Sequence, residues 1–306
     1  MCGSPTQTIQ YSVSNGLKKV KHNHDMLSLD KTKDWNNFVS YFGDKDVIGM
    51  LKLDGLTCTL EYLDGELIGA ETRGNGEIGE DILHNAKVIP SIPYKIAYKE
   101  HLIIDGEIIC KLDDFEEFSK DYANARNFAS GSIRLLDSKE CAKRKLTFVA
   151  WNIVEGFNKE NSFLKKLDKI EKLGFIIVPW TSSFDFDAKD FLVQKAEQLK
   201  YPIDGLVGRF DDIAYGTNLG KTSHHSKAAY AFKFYDEMYP TTLLDIEWGL
   251  GRSGQLTPVA VFEPIEIENS IVNKASLHNI SIMNELSGGS ERIGDTLYIF
   301  KANAII

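Results

Sequence analysis

The stretch Val47-Ile48-Gly49-Met50-Leu51-Lys52-Leu53-Asp54-Gly55-Leu56-Thr57-Cys58-Thr59-Leu60 decides how this chain is read. An apolar run leads into Lys52, a tight Asp54-Gly55 turn follows, and a second apolar run starts at Leu56. A lysine at a strand end beside such a turn can project its amine into a cleft as a nucleophile. Asp64-Gly65 is a hairpin signal, so residues 47–72 read as two strands around it. Upstream, residues 35–43 follow a possible Thr32 or Asp34 cap and end in glycine, which predicts a short helix. Downstream, 101–111 and 146–154 read as strands, with a helix over 113–125 between them. A helix over 162–172 ends at Gly174, a second covers 187–199, and 205–210 is a strand. After Tyr239-Pro240 helical signals fade and short β-rich runs alternate with Gly and Pro. The expected architecture is α+β: a domain over 1–236 with antiparallel sheets and flanking helices, then a small β-barrel-like domain over 237–306.

The 306 residues are 43% hydrophobic and 26% charged, which excludes collagen-like, low-complexity and coiled-coil chains. No run approaches the ~18 apolar residues of a membrane span, so no membrane association is expected. The first residues lack the basic-then-apolar pattern of a secretory signal. Cys2, Cys58, Cys110 and Cys141 are too scattered for a zinc module or a disulfide framework, which fits a cytoplasmic setting. A net charge of −9 argues against strong non-specific nucleic-acid binding by this chain alone. Basic residues do cluster at Lys18, Lys19 and Lys21 and at Lys139, Lys143, Arg144 and Lys145. From residue 237 onward four basic residues face nine acidic ones, a net of −5.

Lys52-Leu53-Asp54-Gly55 does not stand alone. In order follow Thr72-Arg73-Gly74-Asn75-Gly76, Asp105-Gly106-Glu107, Ala123-Asn124-Ala125-Arg126-Asn127, Ile203-Asp204-Gly205-Leu206-Val207 and Ala231-Phe232-Lys233-Phe234. This succession resembles the covalent nucleotidyltransferases, the superfamily of DNA ligases, RNA ligases and mRNA-capping enzymes. Met26-Leu27-Ser28-Leu29-Asp30, Gly79-Glu80-Asp81 and Gly131 to Asp137 narrow the resemblance to the bacterial-type NAD⁺-dependent DNA ligase. Gly251 to Ala260, Ala275 to Asn279 and Arg292 to Asp295 are similar to that family's OB-fold.

The resemblance implies an adenylation domain followed by an OB-fold, sealing 5′-phosphate/3′-hydroxyl nicks in double-stranded DNA through a lysine–AMP intermediate. Lys52 would be the nucleophile, with Asp54 and Lys233 completing the catalytic set. NAD⁺ would be held by Ser28, Leu29, Arg73, Glu107, Trp151, Val207, Arg209 and Lys233. In this scheme Glu107 accepts from a ribose hydroxyl, Trp151 and Val207 flank the adenine, and Arg73 and Lys233 hold phosphate. Mg²⁺ would neutralise further phosphate charge, with no protein metal ligand assigned. Arg126 and Arg134 would contact the DNA 5′-phosphate. Taken without the resemblance, Trp151 reads as core, Glu107 as a solvent-facing strand residue and Arg126 as a surface ion pair. Adjacent His224-His225 and His278 read as structural rather than as metal ligands.

The sequence departs from the family pattern at Met50, where a glutamate usually accepts from the adenine amine. Arg209 stands where a phosphate-contacting lysine is usual, and Ala196 where an arginine is expected. Gly3 to Gln7 resemble the end of the domain that binds the nicotinamide mononucleotide half of NAD⁺, and Ile306 falls within the OB-fold. A fragment is expected, or one subunit of a split ligase, as some phages use, with a second subunit supplying nicotinamide mononucleotide binding. The rival readings are an ATP-dependent DNA or RNA ligase on the same scaffold and a degenerate nucleotide- or DNA-binding subunit.

Overall fold

The computed structural model describes residues 16–182, 186–222, 225–234, 239–250, 256–267, 270–277, 279–287 and 293–299. Gly3 to Gln7, His224, Gly251 to Gln255, His278 and Arg292 lie outside them. Two units emerge, Met1–Phe234 and Tyr235–Ile306.

In the first unit the strands are β1 (Lys19–Lys21), β2 (Lys31–Thr32), β3 (Val47–Leu53), β4 (Leu56–Leu63), β5 (Glu66–Thr72), β6 (Ile78–Glu80), β7 (Leu102–Cys110), β8 (Leu146–Glu155), β9 (Trp180–Thr181), β10 (Ile203–Phe210) and β11 (Ala229–Lys233). They form a five-stranded sheet, β2-β11-β10-β3-β9, a four-stranded antiparallel sheet, β5-β4-β7-β8, and the ribbon β1-β6. The expected two strands over 47–72 are therefore three. Asp54-Gly55 is a crossing point that delivers β3 to one sheet and β4 to the other. The hairpin itself forms as expected: Asp64 and Gly65 both take positive φ (52° and 78°), which a two-residue turn between right-twisted strands requires.

Helices α1 (Trp35–Ser40), α2 (Leu83–Ala86), α3 (Leu112–Phe115), α4 (Ala125–Ile133), α5 (Ser138–Ala142), α6 (Phe163–Lys172), α7 (Phe186–Leu199) and α8 (Ile213–Asn218) flank these sheets. Helix α4 packs on β7, α6 on β8, α7 on β3 and α1 on β11. Caps set their starts: Asp34, Ser162 and Asp212 accept from backbone amides of the first turns of α1, α6 and α8. The continuous helix expected over 113–125 does not form. Helix α3 gives way to a 3₁₀ turn at Glu116–Phe118, and α4 starts afresh where extended Asn124 accepts from Asn127 N. Phe118 stacks on Phe128 at 4.4 Å and Tyr122 meets it edge-on at 5.0 Å, so the connection folds back over α4. Tyr62, Phe38, Phe128, Phe148 and Phe163 are fully buried in the core, each contributing about 1.5–3 kcal/mol.

The second unit holds β12 (Tyr239–Leu250), β13 (Leu256–Ile267), β14 (Ser270–Ser276), helix α9 (Ile280–Ser287) and β15 (Thr296–Ile299). Its antiparallel sheet runs β14-β13-β12-β15, with register shifts between Leu243 and Asp245 and between Val261 and Ile265. Such irregularities bend strands, which suits a curled barrel-type sheet. Leu243, Ala260, Phe262 and Ile299 make its core. Two expectations need correction: the strands are long, and α9 shows that helix does not fade out. Among the described residues no helix is long and apolar enough to cross a membrane.

Candidate active site

Directly opposed residues of antiparallel strands share a face. In the five-stranded sheet Lys52 (β3), Gly205 (β10) and Lys233 (β11) form one such row, so both lysines rise from the same face. The next rows on that face are Met50–Val207–Ala231 and Ile48–Arg209–Ala229. Gly205 has to be glycine: a Cβ there would lie 2.0 Å from the Phe232 carbonyl oxygen.

Strict alternation would send Asp204, the neighbour of Gly205, to the opposite face. Instead the β3–β10 register slips between Ile203 and Gly205, leaving Asp204 as the extra residue of a bulge. A bulge re-aims a side chain. The Asp204 carboxylate accepts from Lys52 Nζ at 2.7 and 2.8 Å, and Lys233 Nζ lies 3.4 Å from its Oδ2. Asp204 thus ties the expected nucleophile to the expected phosphate-binding lysine. The motif containing Asp204 is conspicuous in the sequence, but only the bulge shows what that carboxylate does.

The four-stranded sheet answers with carboxylates. Asp105 and Glu107 lie two apart on β7, opposite Thr59 and Thr57 of β4. Glu107 is buried, not solvent-facing, and Thr57 Oγ1 donates to it at 3.2 Å. Burial pushes its carboxyl up to about 7 even though the charges of Lys52, Arg126 and Arg73 pull the other way. Those opposing charges place Lys52, Arg73, Glu107 and Arg126 together. Arg126, in the first turn of α4, reaches back so that Nη1 lies 3.3 Å from Asp54 Oδ1, behind the Lys52 strand end.

The remaining expected residues distribute around this centre. Exposed Ser28 bridges to His225, and Leu29 is half-buried. Val207 and Trp151 are half-buried against the core. Trp151 occupies a bulge of its own, between Asn152 opposite Asp105 and Ala150 opposite Gly106. Arg209 lies 4.3 Å from the Phe163 ring centroid; burial lowers its pKa to about 10, while Asp105 supports the charge. Arg134 donates through Nε to Glu80 at 2.7 Å and through Nη1 to Ser130 at 2.7 Å. Met50 and Ala196 are both buried.

Among the described residues no cluster of three or more His, Cys, Asp or Glu could hold a metal. Asp204 is already engaged by two lysines, so the residues present do not make a protein cage for Mg²⁺. Mg²⁺ commonly keeps several waters and bonds substrate phosphates.

Residues 14–237 match the family model of the NAD-dependent DNA ligase adenylation domain, and residues 240–306 match that of the NAD-dependent DNA ligase OB-fold domain. A DNA ligase of Lachnoclostridium phytofermentans is 40% identical over 318 residues, covering 100% of this chain and 48% of the relative. One from Ruminiclostridium cellulolyticum is 42% identical with the same coverage, and one from Helicobacter hepaticus is 35% identical over 99% of this chain and 49% of its own length. The chain therefore spans about half the length of the curated relatives it matches. Its sequence and its matched domains place it in the NAD-dependent DNA ligase family.

Proposed function

We propose that this chain performs the adenylating half-reaction of an NAD⁺-dependent DNA ligase. Lys52 Nζ attacks the α-phosphorus of NAD⁺; an N–P bond forms, the P–O bond of the pyrophosphate bridge breaks, and nicotinamide mononucleotide leaves. The amine sheds a proton in this step, and Asp204 Oδ1, at 2.7 Å, is an acceptor already in place. Lys233 and Arg73 offset charge on the reacting phosphate, and Glu107 accepts from a ribose hydroxyl. AMP then passes to the 5′-phosphate of a nick in duplex DNA, and attack by the 3′-hydroxyl seals the strand and releases AMP.

The observation that carries this reading is the Lys52–Asp204–Lys233 arrangement facing buried Glu107. Asp54, held by Arg126, supports the end of the Lys52 strand. The nicotinamide half is expected to need a separate segment or subunit, and the reaction belongs in the cytoplasm. The test is incubation with labelled NAD⁺ or ATP, with and without candidate partner chains, followed by mass spectrometry. AMP on Lys52 from NAD⁺ supports the proposal, AMP from ATP alone shifts it to an ATP-dependent ligase, and no adduct with either overturns it.

A further inference from the structure

The segment 22–32 crosses from one sheet to the other. At its start His22 Nδ1 lies 2.7 Å from Glu71 Oε1 on β5, and Met26 N donates to the Gly76 carbonyl at 3.2 Å. At its end β2 pairs with β11, the strand of Lys233, and Ala231 N donates to the Asp30 carbonyl at 2.9 Å. Between these anchors lie Ser28 and Leu29.

Two side-chain contacts tie the middle of this strap to the four-stranded sheet: Thr59 Oγ1 of β4 donates to Met26 Sδ at 3.4 Å, and His24 meets Asp105 of β7. His24 Nε2 lies 3.2 Å from Asp105 Oδ1, and the two side chains are 17% and 7% exposed. Asp105 sits two residues from Glu107 on the same strand and face. Its carboxylate also accepts from Thr59 Oγ1 at 2.7 Å and from Asn152 Nδ2 at 3.0 Å, which fixes its orientation. The other ring nitrogen, His24 Nδ1, faces Asn23 Oδ1 at 2.8 Å. With oxygen at both nitrogens, the doubly protonated imidazolium is the form that satisfies both contacts.

We propose that His24 and Asp105 are positioning residues: their ion pair holds the strap so that Ser28 and Leu29 meet the nucleotide, and it releases that hold when His24 loses its proton. This rests on the nucleotide-binding reading above. Other charges near His24 are Glu71 on β5 and Asp25 within the strap, while Asp105 in turn faces Arg209 on β10. Asp25 is itself paired with Lys221. Burial works against the His24 charge, but the Asp105 hydrogen bond and the carboxylates of Asp105, Glu71 and Asp25 outweigh it, raising its pKa above 6.5. The charge pairing is therefore present below that raised value, wherever the carboxylate is ionised, and is lost as pH rises through it.

The experiment is an NMR titration of the chain labelled in its histidines and backbone amides. His24 is assigned by the signal that disappears in His24→Gln. The expected result is a His24 pKa above 6.5 that falls in Asp105→Asn, with Ser28 and Leu29 amide shifts following the same titration. In parallel, the KM for NAD⁺ in Lys52 adenylation is expected to rise on the order of tenfold in His24→Gln at pH 6 while kcat stays within about twofold. The variant's KM should also lose the His24-linked rise with pH expected of the wild type. Ser28 and Leu29 shifts indifferent to His24 protonation would overturn the proposal, as would an unchanged KM–pH profile in His24→Gln. If no adduct forms at all, the adenylation reading fails, yet the titration still decides whether His24 governs the strap.

Discussion

The two sheets of the first unit face each other with opposite chemistry. The five-stranded sheet brings Lys52, Lys233 and Arg209, with a single carboxylate, Asp204, shared by the two lysines. The four-stranded sheet brings Asp105 and Glu107, supported by Thr57, Thr59 and Asn152. Phosphate is matched by the first surface and hydroxyl groups by the second. A nucleotide carries both, so a cleft with one cationic wall and one acceptor wall would orient it before any chemistry begins. The cost falls on the acceptor wall, where burial holds Glu107 near neutrality of its own accord.

The largest break in this comparison is expected from Lys52→Ala. Without the attacking amine no AMP adduct should form, and peptide mapping should find AMP on no other lysine. Next comes Asp204→Asn, which keeps the shape of the bulge but weakens the tie between the two lysines. Adduct formation should slow on the order of a hundredfold, as small misplacements of reacting groups can cost. Single-turnover formation of the adduct checks it, and a rate within twofold of wild type would remove Asp204 from the step.

Glu107→Gln sharpens the contrast between the walls. Its pKa of about 7 lies above the ordinary carboxyl value of 4.5, so the folded state disfavours ionised Glu107. Stability drawn from this group therefore falls as pH rises from about 4.5 through 7. Glutamine should raise the urea midpoint at pH 8 and change it little at pH 4. Function should move oppositely: wild-type affinity for the nucleotide should improve as Glu107 ionises, and the variant should lose that limb and bind about tenfold more weakly at pH 8. The His24 variant deletes the other, high-pH limb, so the two groups can be separated.

Much of this was legible in the sequence. Lys52 and Glu107 sit on strands whose apolar runs announce them, and Asp34 caps the helix it precedes. What stayed hidden has a common physical form. Alternation along a strand assigns side chains to faces, and a bulge breaks that assignment at one residue. Trp151, a candidate, and Asp204, which no expectation singled out, both occupy bulges, one in each sheet. Asp54-Gly55 looked like a turn within one sheet because a crossing between sheets uses the same residues as a tight turn. The His24–Asp105 pair spans 81 positions, and no local pattern in the chain points to it.

The smallest effects are expected at Arg126 and Arg134, and they test whether the acceptor wall also serves DNA. Both belong to the α4 region packed on β7, so the sheet that carries the carboxylates also carries the helix that carries these cations. Arg134 is tied to Glu80 in a half-exposed pair, worth about 0–1 kcal/mol, so Arg134→Ala should barely change stability. Arg126 touches Asp54 behind Lys52, so Arg126→Ala should slow adduct formation a few-fold. In the double variant, transfer of AMP from pre-adenylated protein to nicked DNA should fall by more than adduct formation does. The log–log salt dependence of DNA binding should also flatten by about 0.9 for each DNA phosphate that no longer has an arginine to neutralise it. Single-turnover transfer and binding titrations at several salt concentrations measure both. Unchanged transfer with an unchanged salt slope would confine these arginines to holding Asp54 and Glu80, leaving DNA binding to other basic residues.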